Sequence, residues 1–214
     1  MSRSSKSWMR EHVNDPYVQK AKAEGYRSRA AYKLLELDKK ERLLRPGYSV
    51  VDLGAAPGSW SQVAVARIGA KGRLVAVDIL PMQPLPGVHF IQGDFREQAV
   101  FDTLLHALGG RKADLVISDL APNISGIGAS DQARSVHLCE LALDFARLCL
   151  KPGGSLLVKA FQGEGFTQFL AAMRKGFAKV GSRKPEASRG RSSEMYLLGT
   201  GFKAGAGAGS QTGD

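Results

Sequence analysis

The stretch Ser49-Val50-Val51-Asp52-Leu53-Gly54-Ala55-Ala56-Pro57-Gly58-Ser59-Trp60 decides the fold. Its first residues form a short apolar, β-branched run, the pattern of a strand buried on both faces. The run enters a turn of Gly, Ala and Pro, where small residues let the backbone approach a ligand closely. A helical pattern over 59–68 follows, and its first N–H groups have no intrahelical partner. Strand, glycine turn and helix together make the opening unit of an open parallel sheet. Such sheets bind ligands beyond the carboxyl ends of their strands.

The same alternation continues on both sides of this unit. Upstream, Ala31, Leu34, Leu35 and Leu37 predict a helix over 28–42, stopped by Arg45-Pro46-Gly47. Downstream, β-rich runs at 73–77, 88–92 and 114–118 end in Asp78, Gly93-Asp94 and Asp119. A further run at 155–158 is entered from the turn Lys151-Pro152-Gly153-Gly154 and ends at Lys159. Helices are predicted over 97–108, over 131–150 with Asp131 as cap, and over 165–175. Runs at 177–183 and 195–199 are expected to pair as late strands. The fold class is therefore α/β, Rossmann-like, a mostly parallel sheet with helices on both faces. Its ligand edge is expected to carry Asp52, Asp78, Asp94, Asp119 and Lys159.

The chain has 214 residues, 43% of them hydrophobic and 23% charged. That composition excludes a disordered chain and a disulfide-stapled miniprotein. One domain is expected over residues 1–203, with a basic segment at 1–48 and a flexible Gly/Ala tail at 204–214. No apolar run approaches the roughly 20 residues that span a membrane, and Met1 to Arg10 lacks the apolar segment of a secretory signal. Cys139 and Cys149 form no CxxC pair, which suits a reducing cytoplasm. His12, His89, His106 and His137 are scattered, and no metal is expected.

The net charge of +10 is unevenly placed. Residues 1–48 hold 12 Lys/Arg against 6 Asp/Glu, and residues 171–203 hold 8 against 2, a net of +6 each. The middle, 49–170, has a net of −1. A neutral centre between basic ends points to a polyanion, nucleic acid before membrane. Arg27 and Arg29 in the first cluster, with Arg183, Lys184, Arg189 and Arg191 in the second, are expected to contact phosphates. Trp8 and Tyr17 are expected to pack more readily than to stack on bases.

The glycine turn is not the GxGxxG of dinucleotide enzymes, since Ala56 replaces a glycine and Pro57 removes a donor. No diphosphate cradle results. Asp78, a little over 20 residues on, suits ribose hydroxyls, and Asp94 suits an adenine amine. An adenosine cofactor without a pyrophosphate points to S-adenosylmethionine rather than NAD.

The ordered set of motifs resembles the FtsJ/RrmJ family of ribose 2′-O-methyltransferases. It comprises Tyr17-Val18-Gln19, Arg27-Ser28-Arg29-Ala30, Val51 through Gly58, Gln92-Gly93-Asp94-Phe95-Arg96, Ser118-Asp119-Leu120-Ala121-Pro122-Asn123, Val158 through Gly163 and Arg189 through Glu194. The resemblance implies a catalytic tetrad of Lys33, Asp119, Lys159 and Glu194. It also implies contacts to S-adenosylmethionine at Gly54, Gly58, Trp60, Asp78, Asp94 and Asp119. The implied substrate is large-subunit ribosomal RNA, free or in the assembled subunit, modified on a uridine ribose in the A loop. The protein is expected to act as a cytoplasmic monomer.

A ribose hydroxyl is a weak nucleophile, so catalysis must align oxygen, methyl carbon and sulfur and must handle the hydroxyl proton. Lys159 is the best group for that task, either as a neutral base or as a charged group that orients the oxygen. Rival readings are a methyltransferase acting on transfer RNA or a messenger cap, an NAD-dependent oxidoreductase, and a non-catalytic ribosome-assembly module.

Overall fold

The computed structural model describes residues 15–122, 128–188 and 192–204. Asp15 opens the first helix, α1 (Pro16–Glu24). Its carboxylate accepts the Tyr17 N–H at 3.0 Å, Pro16 fills the first turn, and Gly25 closes the helix in the left-handed conformation. α2 (Ala30–Glu41) is the helix predicted over 28–42, and Arg42 closes it with φ 54°. The chain continues through β1 (Ser49–Leu53), α3 (Ser59–Ile68), β2 (Arg73–Asp78), β3 (Val88–Gln92), α4 (Gln98–Ala107) and β4 (Ala113–Ser118). It ends with α5 (Gly128–Cys149), β5 (Leu150–Phe161), α6 (Phe166–Gly176), β6 (Phe177–Arg183) and β7 (Glu194–Phe202).

The sheet has seven strands in the order β3-β2-β1-β4-β5-β7-β6. The five strands from β3 to β5 are parallel, and β7 runs antiparallel between β5 and β6. Alternate side chains of each inner strand face opposite layers. Val51, Leu53, Val116, Leu156 and Val158 pack with Leu104 of α4, Leu143 of α5 and Phe169 of α6. Val50, Leu115, Ile117 and Leu157 pack with Leu34 and Leu37 of α2 and with Val63 and Ile68 of α3. Burial on both faces is why these strands read as continuous apolar runs. α1 rests on α2 through Ala21, Tyr32 and Ala187. No helix among the described residues is long and apolar enough to cross a membrane.

Three sequence expectations need correction. β5 begins at Leu150 rather than after the turn at 151–154. Leu150 pairs with Ala113 and Ser155 with Leu115, so the intervening residues bulge out of a strand already begun. Asp131 lies inside the first turn of α5, which starts at Gly128, and does not cap it. Asp52 does not reach the ligand edge. It precedes Leu53 inside β1, is fully buried, and its period-two position turns it toward α3, where Ser61 Oγ donates to it at 2.7 Å. Trp8, Asn123, Arg189, Arg191 and the tail beyond Ala204 lie outside the described residues.

Candidate active site

The order of strands reverses between β1 and β4, and the crevice that forms there opens at their carboxyl ends. The glycine turn closes over it. Gly54 has φ 74° and donates its N–H to Val77 O at 2.9 Å, and a Cβ on it would overlap the Leu120 side chain. Gly58 has φ 105°, and a Cβ there would lie 2.8 Å from both Arg27 Nη1 and Met82 Sδ. No residue but glycine satisfies both conditions at Gly58. The Ala56–Pro57 peptide bond is cis.

Beside the turn lies a cavity of about 170 Å³, lined among others by Gly54, Asp78, Asp94, Phe95, Leu120 and Leu138. Asp78 accepts the Ala56 N–H at 2.9 Å and the Leu80 N–H at 2.8 Å, which fixes its carboxylate between two loops. Asp94 accepts the Arg96 backbone N–H at 3.0 Å and is gripped by the Arg96 guanidinium, with Nε at 2.9 and 2.8 Å from its two oxygens. The Arg96 hydrogen bond holds the Asp94 carboxyl below the usual carboxylate range, although burial opposes it. Apolar walls flank a flat base, and acceptor carboxylates meet ribose hydroxyls and an exocyclic amine. These residues fit a nucleoside, and an edge carrying Asp78, Asp94 and Asp119 suits a cationic tail.

A second cluster stands beyond β4, on the sheet face covered by α2. The register pairs Lys159 with Tyr196 and Phe161 with Glu194. Glu194 and Tyr196 are two residues apart on β7, so they share a face. Lys33 reaches this face from the first turns of α2. Its Nζ lies 2.6 Å from Glu194 Oε1, which also accepts Ser188 Oγ at 2.9 Å. Lys159 donates to Asp119 O at 2.6 Å and lies 3.1 Å from Asp119 Oδ1. The Tyr196 hydroxyl donates to that same Oδ1 at 2.6 Å. Two cations and two carboxylates are thus held together, with Lys159 and Glu194 both buried.

Tyr196 joins the two ion pairs. It is fully buried, its ring packs 5.6 Å from Trp60, and Lys33 Nζ lies 5.8 Å from its centroid. Burial first, then the charges of Asp119 and Glu194, push its phenol well above the ordinary value. It is a fixed donor, and the sequence reading missed it. Its position two residues after Glu194 was the available signal.

The expected ligand contacts divide. Gly54, Gly58, Asp78, Asp94 and Asp119 lie at the crevice. The Trp60 indole does not. It is buried on the α2 side, where Nε1 donates to Ala30 O at 2.9 Å, so only its backbone N–H in the first turn of α3 is left for a ligand. Side chains early in a helix lean back toward its start, which carries the indole under α2.

The basic residues expected to hold phosphates are largely engaged by the protein. The Arg27 guanidinium donates to Pro57 O at 2.9 Å, Gln83 O at 2.7 Å and Pro84 O at 2.9 Å, which pins it to the glycine turn. Arg29 is ion-paired with Asp15 and donates to Ala187 O. Arg183 pairs with Glu41, Nε to Oε1 at 2.6 Å, and Lys184 donates to Ser192 O at 2.7 Å. Each of the four therefore carries an intramolecular contact, and Lys184 remains exposed. Cys139 and Cys149 are free thiols that burial pushes up to about 12, and no group of His, Cys, Asp and Glu among the described residues could hold a metal.

A profile of the FtsJ-like methyltransferase family matches residues 26–202. The chain is 64% identical over 198 residues to ribosomal RNA large subunit methyltransferase E of Azoarcus sp. (strain BH72), covering 92% of this chain and 97% of that one. It is 62% identical over 200 residues to the protein of the same name from Chromobacterium violaceum, covering 94% and 98%. Among solved structures, a ribosomal RNA methyltransferase from Plasmodium falciparum superposes with a TM-score of 0.74 at 34% identity, over 83% of this chain and 98% of that one. Aeropyrum pernix fibrillarin, solved with S-adenosyl-L-methionine, shares the fold at 16% identity and a TM-score of 0.53, over 80% and 73%. The crevice, the paired lysines and carboxylates beside it and these likenesses agree: the chain belongs to the FtsJ-like methyltransferase family.

Proposed function

We propose that this chain transfers a methyl group from S-adenosylmethionine to a ribose 2′-OH of large-subunit ribosomal RNA, on a uridine of the A loop. One observation carries the reading: Lys33, Asp119, Lys159 and Glu194, spread between residues 33 and 194, meet beside the cavity lined by Asp78 and Asp94. The names of relatives above 60% identity favour ribosomal RNA over transfer RNA or a messenger cap. The intact tetrad favours an enzyme over a passive assembly factor, and the cavity has no diphosphate cradle for NAD.

Bound S-adenosylmethionine supplies an electrophilic methyl on a sulfonium, so attack by the ribose oxygen discharges a cation and forms no oxyanion that must be stabilised. Asp78 and Asp94 hold the nucleoside, and the turn at Gly54 and Gly58 lets the backbone approach it. Lys159 uses two of its three donor positions on Asp119 and directs the third at the 2′-oxygen, whose own proton passes to solvent water late in the transfer. Asp119, fixed by Lys159 and Tyr196, holds that position at the end of β4 next to the cavity. Lys33, locked by Glu194, orients the ribose. Alignment supplies most of the rate, since a well-oriented pair gains up to about 7–11 kcal/mol of the barrier. The protein acts as a cytoplasmic monomer on RNA, free or in the assembled subunit.

Transfer of tritiated methyl groups to large subunits, protein-free ribosomal RNA and transfer RNA, followed by mapping of the modified ribose, tests this. Label on a uridine 2′-oxygen of the large-subunit RNA is expected. Label on transfer RNA alone, or on a base, would overturn it.

A further inference from the structure

The basic N-terminal segment has few cations to spare at the catalytic edge, because Arg27, Arg29 and Lys33 are all engaged. Its exposed cations gather at the other end of the molecule. A broad groove of about 870 Å³ opens there, where α2 ends, the chain turns into β1, and α3 ends. Lys39, Arg42, Arg45 and Arg67 line it, and all four are exposed. Lys33 and Arg42 lie nine residues apart, about 14 Å along the axis of α2. The groove and the tetrad are separate sites.

The single carboxylate in the groove is already used. Asp38 accepts the Leu44 N–H at 2.8 Å and lies 3.5 Å from Arg67 Nε. The side chains of Lys39 and Arg42 meet no hydrogen-bonding or ionic partner among the described residues. Cations in a last helical turn are explained by the helix dipole, and Lys39 and Arg67 qualify. Arg42 caps α2, and Arg45 just beyond it is partly engaged, its Nε 3.5 Å from Arg42 O and its guanidinium 5.9 Å from the Tyr48 ring centroid. Arg42 is also the only non-glycine residue with positive φ among the described residues. A left-handed backbone is unfavourable for a residue with a side chain, and glycine or asparagine is the usual occupant. Here the position carries a guanidinium aligned with three other cations around one groove.

We infer that this groove seats the phosphodiester backbone of a second RNA segment, remote from the methylated ribose. The inference rests on the proposed function and adds to it a second point of attachment. Phosphate oxygens need only opposed charge and guanidinium donors, which the groove offers. A protein partner would need a pocket for an aromatic or aliphatic anchor, and the apolar lining of the groove is limited to Leu35, Leu44 and Pro46.

The test compares the full chain with Lys39→Gln/Arg42→Gln/Arg45→Gln, and with Lys39→Gln/Arg45→Gln, which leaves the left-handed residue in place. A control, Arg111→Gln/Lys112→Gln/Arg134→Gln, removes three exposed charges from the near-neutral middle of the chain. For the triple groove variant, the KM for large subunits should rise about tenfold with kcat and cofactor affinity unchanged. The slope of log affinity for protein-free ribosomal RNA against log salt should fall by about 2–3, close to one per lost phosphate contact. The double variant should show a smaller change of the same kind. Changes no larger than the control's would overturn the inference. So would a KM that rises on subunits while binding to protein-free RNA keeps its salt slope, because an acidic ribosomal protein would then be the partner. If the unsubstituted chain neither binds nor methylates RNA, the proposed function falls and the groove with it. If it does both and the groove variants match it, the groove alone falls.

Discussion

The two halves of the catalytic edge are built in opposite ways. On the cofactor half, each carboxylate has a partner two residues further along the chain. Asp94 is gripped by Arg96, two residues on, and Asp78 by the N–H groups of Leu80 and Ala56. On the substrate half nothing is local. Lys33 meets Glu194 across 161 residues, and Asp119 meets Tyr196 across 77. Local bonds survive small shifts of helices against the sheet, whereas long-range pairs fail with them. A substitution on one half should therefore leave the other working, and that independence can be tested.

The sharpest test is Lys159→Ala. Methyl transfer should fall about 10²–10⁴-fold, the usual worth of a positioned proton-handling group, while calorimetry shows cofactor binding intact. Lost cofactor binding would mean that the halves are one unit. Asp78→Ala should do the reverse, weakening cofactor affinity about 10–100-fold through loss of hydrogen bonds to a charged acceptor, with kcat at saturating cofactor nearly unchanged. Tyr196→Phe leaves Asp119 Oδ1 with Lys159 as its remaining partner. Its kcat should fall about tenfold with cofactor affinity unchanged, and the pH profile of kcat should shift as well, which a merely structural role would not produce.

The smallest effect concerns Asp52, beneath both halves. Burial pushes its carboxyl up to about 7, against the Ser61 hydrogen bond, and its Oδ1 has no hydrogen-bond partner. Because the folded value exceeds the unfolded one, the native state holds the proton more tightly. Stability should therefore decline as pH rises from about 4 to about 7, by on the order of a few kcal/mol. Asp52→Asn should flatten that part of a melting-temperature profile. An unchanged profile would mean that the carboxyl is not buried as described.

What the sequence made legible follows the same division. The glycine turn, Asp78 and Asp94 could be read because their geometry is local and is written in spacing. Lys33 and Glu194 came from family resemblance, since no spacing within the chain links a helix near residue 33 to a strand near 194. Tyr196 was missed because a tyrosine in a late apolar strand has the same pattern as core. Arg27 and Arg29 also carry structural contacts that the sequence could not announce. Their partners include the carbonyls of Pro57, Gln83, Pro84 and Ala187, and every residue carries a carbonyl, so no side-chain pattern announces such a partner. Charge counting located two basic ends but could not separate cations that hold the protein together from cations that face outward.

The placement of β7 has a consequence in time. Synthesis delivers β6 before β7, yet β7 lies between β5 and β6 in the sheet. Until residues 194–202 emerge, β6 has no strand to join, and Glu194 and Tyr196 do not exist. A nascent chain can fold its cofactor crevice early and still lack the groups that hold Lys33 and Asp119. The groups that hold Lys33 and Asp119 arrive with β7, after the rest of the sheet has been made.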